Sequence, residues 1–312
     1  MKICAACHQD LPKESYSKKQ WKLDKYHRRC KVCTANNREV QQTPKQKLVT
    51  LLDSICLDDN IDTKRISDKE LFKQPPQKED CPICFLRLPC LCSGSKYMSC
   101  CGKIVCSGCI HAPVYDNQGN EVDYDKCPFC RTPFHYSEEE LIEREMKRAE
   151  AGDAHAMYNL GYNYGEGLNG YPQDNIKALK LFHRAGEMGY NDAYLNIGSV
   201  YEFGEGVVRD LKKAKYYYEI GAIGGDASAR HNLGCFELEA GNYDRALKHY
   251  MIAVVGGWSE SLKMMKVMYS KGDATREEYT KALQSYQVYL DEIKSKQRDE
   301  AAAYDIDDYR NY

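Results

Sequence analysis

Cysteine spacing constrains this chain more than any other feature. Twelve of its sixteen cysteines fall into groups with the spacing of metal ligands. Cys4 and Cys7 pair with Cys30 and Cys33 near the start of the chain. Further on come Cys81 and Cys84, the adjacent Cys100 and Cys101, Cys106 and Cys109, and Cys127 and Cys130. A Cys-x-x-Cys turn brings two thiolates within reach of one ion, and two such turns complete the tetrahedron of a structural zinc. Three zinc ions are therefore expected.

Disulfide pairing is the competing reading of the same residues. No apolar run approaches the roughly 20 residues that span a bilayer, and Met1-Lys2-Ile3-Cys4 opens no secretory h-region. These features lead to the expectation of an intracellular chain, cytoplasmic or nuclear, whose thiols stay reduced. At 312 residues, with 29% charged side chains, two or three domains are expected rather than one large core. Charge is uneven. The net value is −2, yet residues 1–47 carry twelve Lys/Arg against four Asp/Glu, about +8, which leaves about −10 on the rest. A basic head suits nucleic acid or an acidic protein surface.

Residues 1–40 are read as one zinc finger held by Cys4, Cys7, Cys30 and Cys33. The segment between the pairs is too short to bury a core, so the metal must stabilise it. Tyr16-Ser17-Lys18-Lys19-Gln20-Trp21, set between two Cys-x-x-Cys turns, resembles the Stc1-type zinc finger. That resemblance implies a protein-interaction module. The lysines and arginines from Lys18 to Lys31 are candidates for phosphate contact, with Tyr16, Trp21 and Tyr26 as stacking partners. A solvated basic face or a protein contact is the favoured alternative. Residues 41–80 read as a linker: Leu48, Leu51, Leu52 and Ile55 recur at helical spacing, and the charged stretch 58–78, closing on Pro75-Pro76, reads as flexible or extended.

The order of cysteines in residues 81–135 resembles a RING-type zinc domain. The resemblance implies an interleaved cross-brace, with Cys81, Cys84, Cys106 and Cys109 on one ion and Cys100, Cys101, Cys127 and Cys130 on the other. Lys103 occupies the neighbourhood where that family usually carries a histidine ligand, and a protonated lysine binds zinc poorly. Cys100 is the favoured replacement, with Cys90, Cys92 and His111 in reserve. The family also implies a ubiquitin ligase that grips a ubiquitin-conjugating enzyme and forms no covalent intermediate. Ile83, Pro128 and Arg131 fall at the contact positions this implies. A purely partner-binding module is the alternative.

From Glu138 onward the chain repeats itself. Ala156-Met-Tyr-Asn-Leu160-Gly161 returns as Ala193-Tyr-Leu-Asn-Ile197-Gly198 and Ala229-Arg-His-Asn-Leu233-Gly234, and more weakly at Ser261–Lys266. Asp174, Asp210 and Asn242 are expected to cap the second helix of each pair, and Thr275 with Glu278 forms a capping box. Ala178, Ala214, Ala246 and Ala282 recur inside those helices, and Gly189, Gly225 and Gly257 end the first three of them. The pattern resembles Sel1-like repeats, relatives of the tetratricopeptide class, over residues 138–295. The implied fold is mainly α: a helical solenoid behind two small zinc-held modules. Such arrays bind partner or substrate proteins. Tyr158, Tyr162, Tyr194, Asn196, His231 and Asn232 are candidates to line the groove, against the alternative that repeat tyrosines pack between helices. Residues 296–312 read as an acidic tail that frays or caps the last helix. No phosphate-cradling loop, zinc-protease helix or nucleophile elbow appears, and no membrane partner is expected.

Overall fold

The computed structural model describes residues 2–3, 10–11, 13–16, 22, 52, 66–76, 79–90, 94–112, 126–134 and 137–304. The chain divides into two compact units, Met1–Ser54 and Ile55–Tyr312.

In the first unit, β1 (Lys2–Ile3) pairs antiparallel with β2 (Asp10–Leu11), Lys2 opposite Leu11 and Ile3 opposite Asp10. A 3₁₀ turn over Lys13–Ser15 follows. Tyr16 is 4% exposed, which withdraws it from the stacking role expected above, because its ring faces are already covered. Leu52 is buried as well, in keeping with its place in the apolar period. Cys4, Cys7, Cys30 and Cys33 lie outside the described residues.

The second unit is mainly α. A single helical turn, α1 (Asp68–Leu71), precedes the antiparallel pair β3 (Ser95–Met98) and β4 (Lys103–Cys106) and the short α2 (Ser107–His111). The helical array then runs α3 (Glu138–Glu150), α4 (Ala154–Glu166), α5 (Asn175–Glu187), α6 (Ala193–Phe203), α7 (Leu211–Ile223), α8 (Ala227–Glu239), α9 (Tyr243–Val255), α10 (Ser259–Lys271) and α11 (Arg276–Ile293), and α12 (Lys296–Tyr304) closes it. Each helix of the array packs on the next, as stacked helix pairs require. Among the described residues no helix is long and apolar enough to cross a membrane.

The repeat signature has a direct packing cause. A Cβ built at Gly161 would lie 2.8 Å from the Phe182 ring, at Gly198 2.5 Å from Tyr218, and at Gly234 2.5 Å from Tyr250. The glycine of each Leu/Ile-Gly step therefore lets an aromatic ring of the following helix rest on bare backbone. The fourth copy carries Lys266 instead and lacks this contact surface. Ala178, Ala214, Ala246 and Ala282 are all 1% exposed or less, where the paired helices approach.

Caps follow the expected chemistry with one exception. The carboxylates of Asp174 and Asp210 accept from Lys177 N and Lys213 N, and Thr275 with Glu278 makes the reciprocal capping box. Asn242 caps nothing with its side chain; its amide donates to Glu237 Oε2 at 2.8 Å. That carboxylate is 2% exposed and is also met by Lys215 and Arg245, so it draws the amide away from the helix end. Gly189, Gly225 and Gly257 take φ of 96°, 99° and 96°, the left-handed conformation expected just past each helix.

Two expectations are corrected. Residues 66–76 do not run free: they hold a capped helical turn packed on the array, with Leu71 1% exposed. Residues 296–304 do not fray, because α12 packs against α2 and buries Arg298 to 1% exposure.

Candidate metal centre and its seat on the repeats

Two cysteine quartets converge. Cys81, Cys84, Cys106 and Cys109 bring their Sγ atoms within 4.8 Å of one another, and so do Cys100, Cys101, Cys127 and Cys130. These are the two interleaved sets that the RING-type resemblance implied. Individual separations are 3.7 Å for Cys84–Cys106, 3.8 Å for Cys101–Cys127 and 3.3 Å for Cys100–Cys130. A tetrahedral ion with metal–sulfur bonds of about 2.3 Å sets its sulfurs about 3.8 Å apart. An S–S bond would require about 2.05 Å, and no disulfide joins any cysteine among the described residues. The donor sets fit a zinc ion in each quartet.

Local backbone explains how the thiols aim inward. After Cys81 and after Cys127 the chain makes the same tight knuckle. Phe85 N donates to Cys81 O at 2.9 Å and Arg131 N to Cys127 O at 2.8 Å. Each knuckle closes on a residue with positive φ, Phe85 at 58° and Arg131 at 61°. Cys100 and Cys101 sit on the β3–β4 turn, where Gly102 takes φ of 70°. Cys106 and Cys109 flank the start of α2. Leu88, Met98 and Val105 fill the small interior, with Ile83, Ile104, Ile110 and Phe134 packed around it.

The electrostatics of each quartet call for a cation. A hydrogen bond from Cys106 holds the Cys81 thiol down at about 4, while the same bond drives Cys106 far above the ordinary thiol range. Burial raises Cys109 to about 12 and Cys101 to about 11, and it raises Cys100 as well. Cys130 is held down at about 6: desolvation opposes its charge, but hydrogen bonding with Thr132, Cys100 and Cys127 outweighs it. One thiolate thus forms readily in each set while Cys106 and Cys109, or Cys100 and Cys101, resist, and a bound divalent ion would favour their joint ionisation.

Neither Cys90 nor His111, two of the reserve ligands, joins a quartet. Cys90 donates its thiol to Gly257 O at 3.1 Å, and Lys103 extends over the Phe129 ring at 5.9 Å. Cys92 lies outside the described residues. Of the three surface candidates, Ile83 and Pro128 are half-buried and Arg131 is exposed. The strongest exposed apolar groups here are Phe85, 76% exposed, and Phe129, 44% exposed. Sequence reading missed both, although each neighbours a ligand cysteine at a knuckle tip.

This cysteine module is seated on both ends of the helical array. At the start, Tyr97 Oη donates to Asp153 Oδ2 at 2.6 Å, its ring stacks on His155 at 4.2 Å, and Arg148 Nε donates to Ser99 O at 2.6 Å. Burial holds His155 neutral, down at about 4. At the far end, Tyr289 Oη accepts from Cys90 N at 2.9 Å and Arg87 pairs with Glu292 at 2.5 Å. Arg298 reaches furthest in: it donates to Arg87 O at 2.8 Å and Ile293 O at 2.7 Å, and its Nη2 lies 3.9 Å from Cys84 Sγ. A buried guanidinium beside the thiolates offsets part of the negative charge of a four-cysteine site. A Cβ at Gly108 would lie 2.8 Å from Arg298 N, so only glycine admits α12 there.

The expected groove residues separate. Tyr162 is 47% exposed. Tyr158 packs among His155, Phe182 and Tyr190, and Tyr194 stacks on Tyr217. His231 Nδ1 lies 2.9 Å from Ser261 Oγ, while Asn196 and Asn232 are half-buried. Most of the set therefore packs between helices.

Comparison with known proteins bears on the array. The Sel1 repeat family matches residues 154–190 and 191–226, so this stretch consists of Sel1 repeats. Over 103 residues the chain is 33% identical to an Arabidopsis thaliana protein described as ERAD-associated E3 ubiquitin-protein ligase component HRD3B. That match covers 33% of this chain and only 16% of the relative's length. Among solved structures, a Sel1 repeat protein from Oxalobacter formigenes is 32% identical over 49% of this chain and 62% of its own, with a TM-score of 0.42. Antigen c5321 of uropathogenic Escherichia coli, described as having an SLR fold, is 30% identical over 50% of this chain and 34% of its own, also with a TM-score of 0.42.

Proposed function

We propose that this chain is a zinc-bound protein–protein interaction scaffold, in which a Sel1-type helical array presents partner-binding surface and a cysteine module locks its ends. One observation carries the reading: the module that holds both quartets is hydrogen-bonded at Asp153 and Arg148 on one side and at Tyr289 and Arg298 on the other. Metal, module and array thus form one supported body, and repeat arrays of this kind act by holding proteins. The printed role of the Arabidopsis relative, a component of a ligase assembly, agrees with such work.

A second reading has its own support. The two quartets interleave as in a RING-type cross-brace, and Arg131 stands exposed directly after the last ligand, next to the exposed Phe129. On this reading the module engages a ubiquitin-conjugating enzyme through Ile83, Pro128 and Arg131. Arg131 bonds enzyme and ubiquitin together to favour the reactive alignment. Ubiquitin transfer with purified zinc-loaded chain and a panel of conjugating enzymes separates the two. The scaffold reading expects no chains from the wild type. Chain formation that Arg131→Ala or Ile83→Ala abolishes, with the fold intact, replaces it with the ligase reading. Native mass spectrometry counts the ions in the same sample: three are expected, one for each quartet above and one for the N-terminal cysteines.

A further inference from the structure

The helical array already holds a peptide-like ligand, and it belongs to the chain itself. Residues 66–76 pack against α7 and bond to Arg230 of α8 and Arg245 of α9, more than 150 positions away in sequence. Ser67 caps the turn α1 by accepting from Glu70 N at 3.3 Å. Three features of the turn are then read. The Asp68 carboxylate takes Arg245 Nη1 at 2.5 Å. The Leu71 side chain is buried, and its carbonyl accepts from Arg230 Nη1 at 2.5 Å. The Phe72 ring lies 4.7 Å from His249, with the Arg245 guanidinium at 5.2 Å and the Lys248 ammonium at 5.7 Å.

The wall of this groove is built for an acceptor and an aromatic ring. Arg230 is 1% exposed, and its two Nη atoms donate to carbonyls, one of the array (Ala222 O, 2.7 Å) and one of the docked turn. His249 is fully buried with both ring nitrogens lacking a hydrogen-bond partner among the described residues. Gly225 at the α7–α8 turn lets the segment leave: a Cβ there would lie 3.2 Å from Pro76 O. An acidic residue, then an apolar and an aromatic residue three and four places on, is how one face of a short helical turn docks in a groove.

We propose that the α8–α9 groove is a recognition site for a protein segment of this chemistry: a capped helical turn with a carboxylate at its start and Leu-Phe, or an equivalent pair, three and four residues later. Residues 66–76 occupy it in cis, and a partner binds by exchange. The proposal deepens the scaffold reading and rests on it. Four residues join Pro76 to Cys81 and the seated module, so the cis segment acts at an effective concentration on the order of millimolar. An outside segment therefore competes poorly until the cis contacts are weakened.

The test uses a fluorescent synthetic peptide of residues 66–76 and the zinc-loaded full chain, read by anisotropy. Wild type binds weakly. Asp68→Ala/Phe72→Ala in the chain frees the groove and tightens peptide binding at least tenfold. Lys248→Glu added to that variant, at an exposed position, reverses most of the gain. Asp68→Ala alone removes the ion pair to Arg245 and leaves Leu71 and Phe72 in place; it gives a smaller gain in the same direction, which keeps the test valid if the double variant folds poorly. Peptide binding that stays equal in wild type and both released chains, or that ignores Lys248→Glu, overturns the proposal. Ubiquitin transfer by the wild type, which sinks the scaffold reading, is a separate readout from this one.

Discussion

The cysteine module and the helical array solve the same stability problem by opposite means. The array buries whole layers of side chains, among them Leu160, Leu179, Leu181, Ile197 and Leu233, none more than marginally exposed. Among the described residues, the module's core cluster buries Leu88, Met98 and Val105 besides its cysteines, and two sets of thiols converge beside it. Burial of apolar surface stabilises roughly in proportion to area, so the array supports itself, while the proposed zinc would have to stabilise the module. One region is held by many weak contacts; the other has two converging cysteine quartets and the surface it leans on.

Four experiments break or sharpen this contrast. Removing the metal has the largest effect, since a structural zinc contributes about 10–16 kcal/mol of apparent binding energy in small domains. Hydrogen exchange after chelation should show residues 81–134 unprotected while α4 to α10 keep their protection; simultaneous loss of both breaks the contrast. Leu160→Ala probes the other side. Its side chain is fully buried, and the cavity should cost about 2–5 kcal/mol by denaturant titration with the ion count unchanged. Gly198→Ala sets a methyl against the Tyr218 ring and should cost about 1–3 kcal/mol, read as a lower melting temperature.

The smallest effect is a pH slope. Burial, with Arg230 second, holds His249 down at about 3, well below the ordinary histidine value of 6.5. The unfolded chain takes up a proton below that ordinary value and the folded chain does not, so stability falls as pH drops through 6.5. Between pH 7.5 and 5.5 this one group should remove about 1.4 kcal/mol. His249→Phe should flatten the slope by that amount relative to wild type, a difference in which acid loss of zinc cancels.

Local signals were legible and distant ones were not. The Leu-Gly steps at 160–161 and 233–234 and the Ala178–Ala282 series announce helix pairs because their cause lies within one repeat. The Cys-x-x-Cys pairs were readable because their spacing is a local constraint, while their interleaving was implied only by the RING-type resemblance; Cys100 joins Cys130 where a histidine was missing. Arg298, by contrast, sits among residues that read as a charged tail. Its partners Cys84, Leu86 and Arg87 lie over 200 positions away, and two of them contribute backbone carbonyls, which leave no trace in a sequence. The same holds for Asp68 and Phe72, whose charged surroundings suggested a solvated linker. Asn242 failed as a cap for a related reason: a buried carboxylate from the preceding helix outcompeted the backbone.

Tandem repeats usually tolerate duplication or deletion of a unit, because each touches only its neighbours and the ends are open. Here Asp153 and Arg148 before the first matched repeat and Tyr289 and Arg298 after the last answer to one small body. Inserting or removing a repeat would carry one anchorage away from the other by the thickness of a helix pair. The count of units in this protein is therefore fixed by geometry, as the number of links is fixed in a bracelet cut to its clasp.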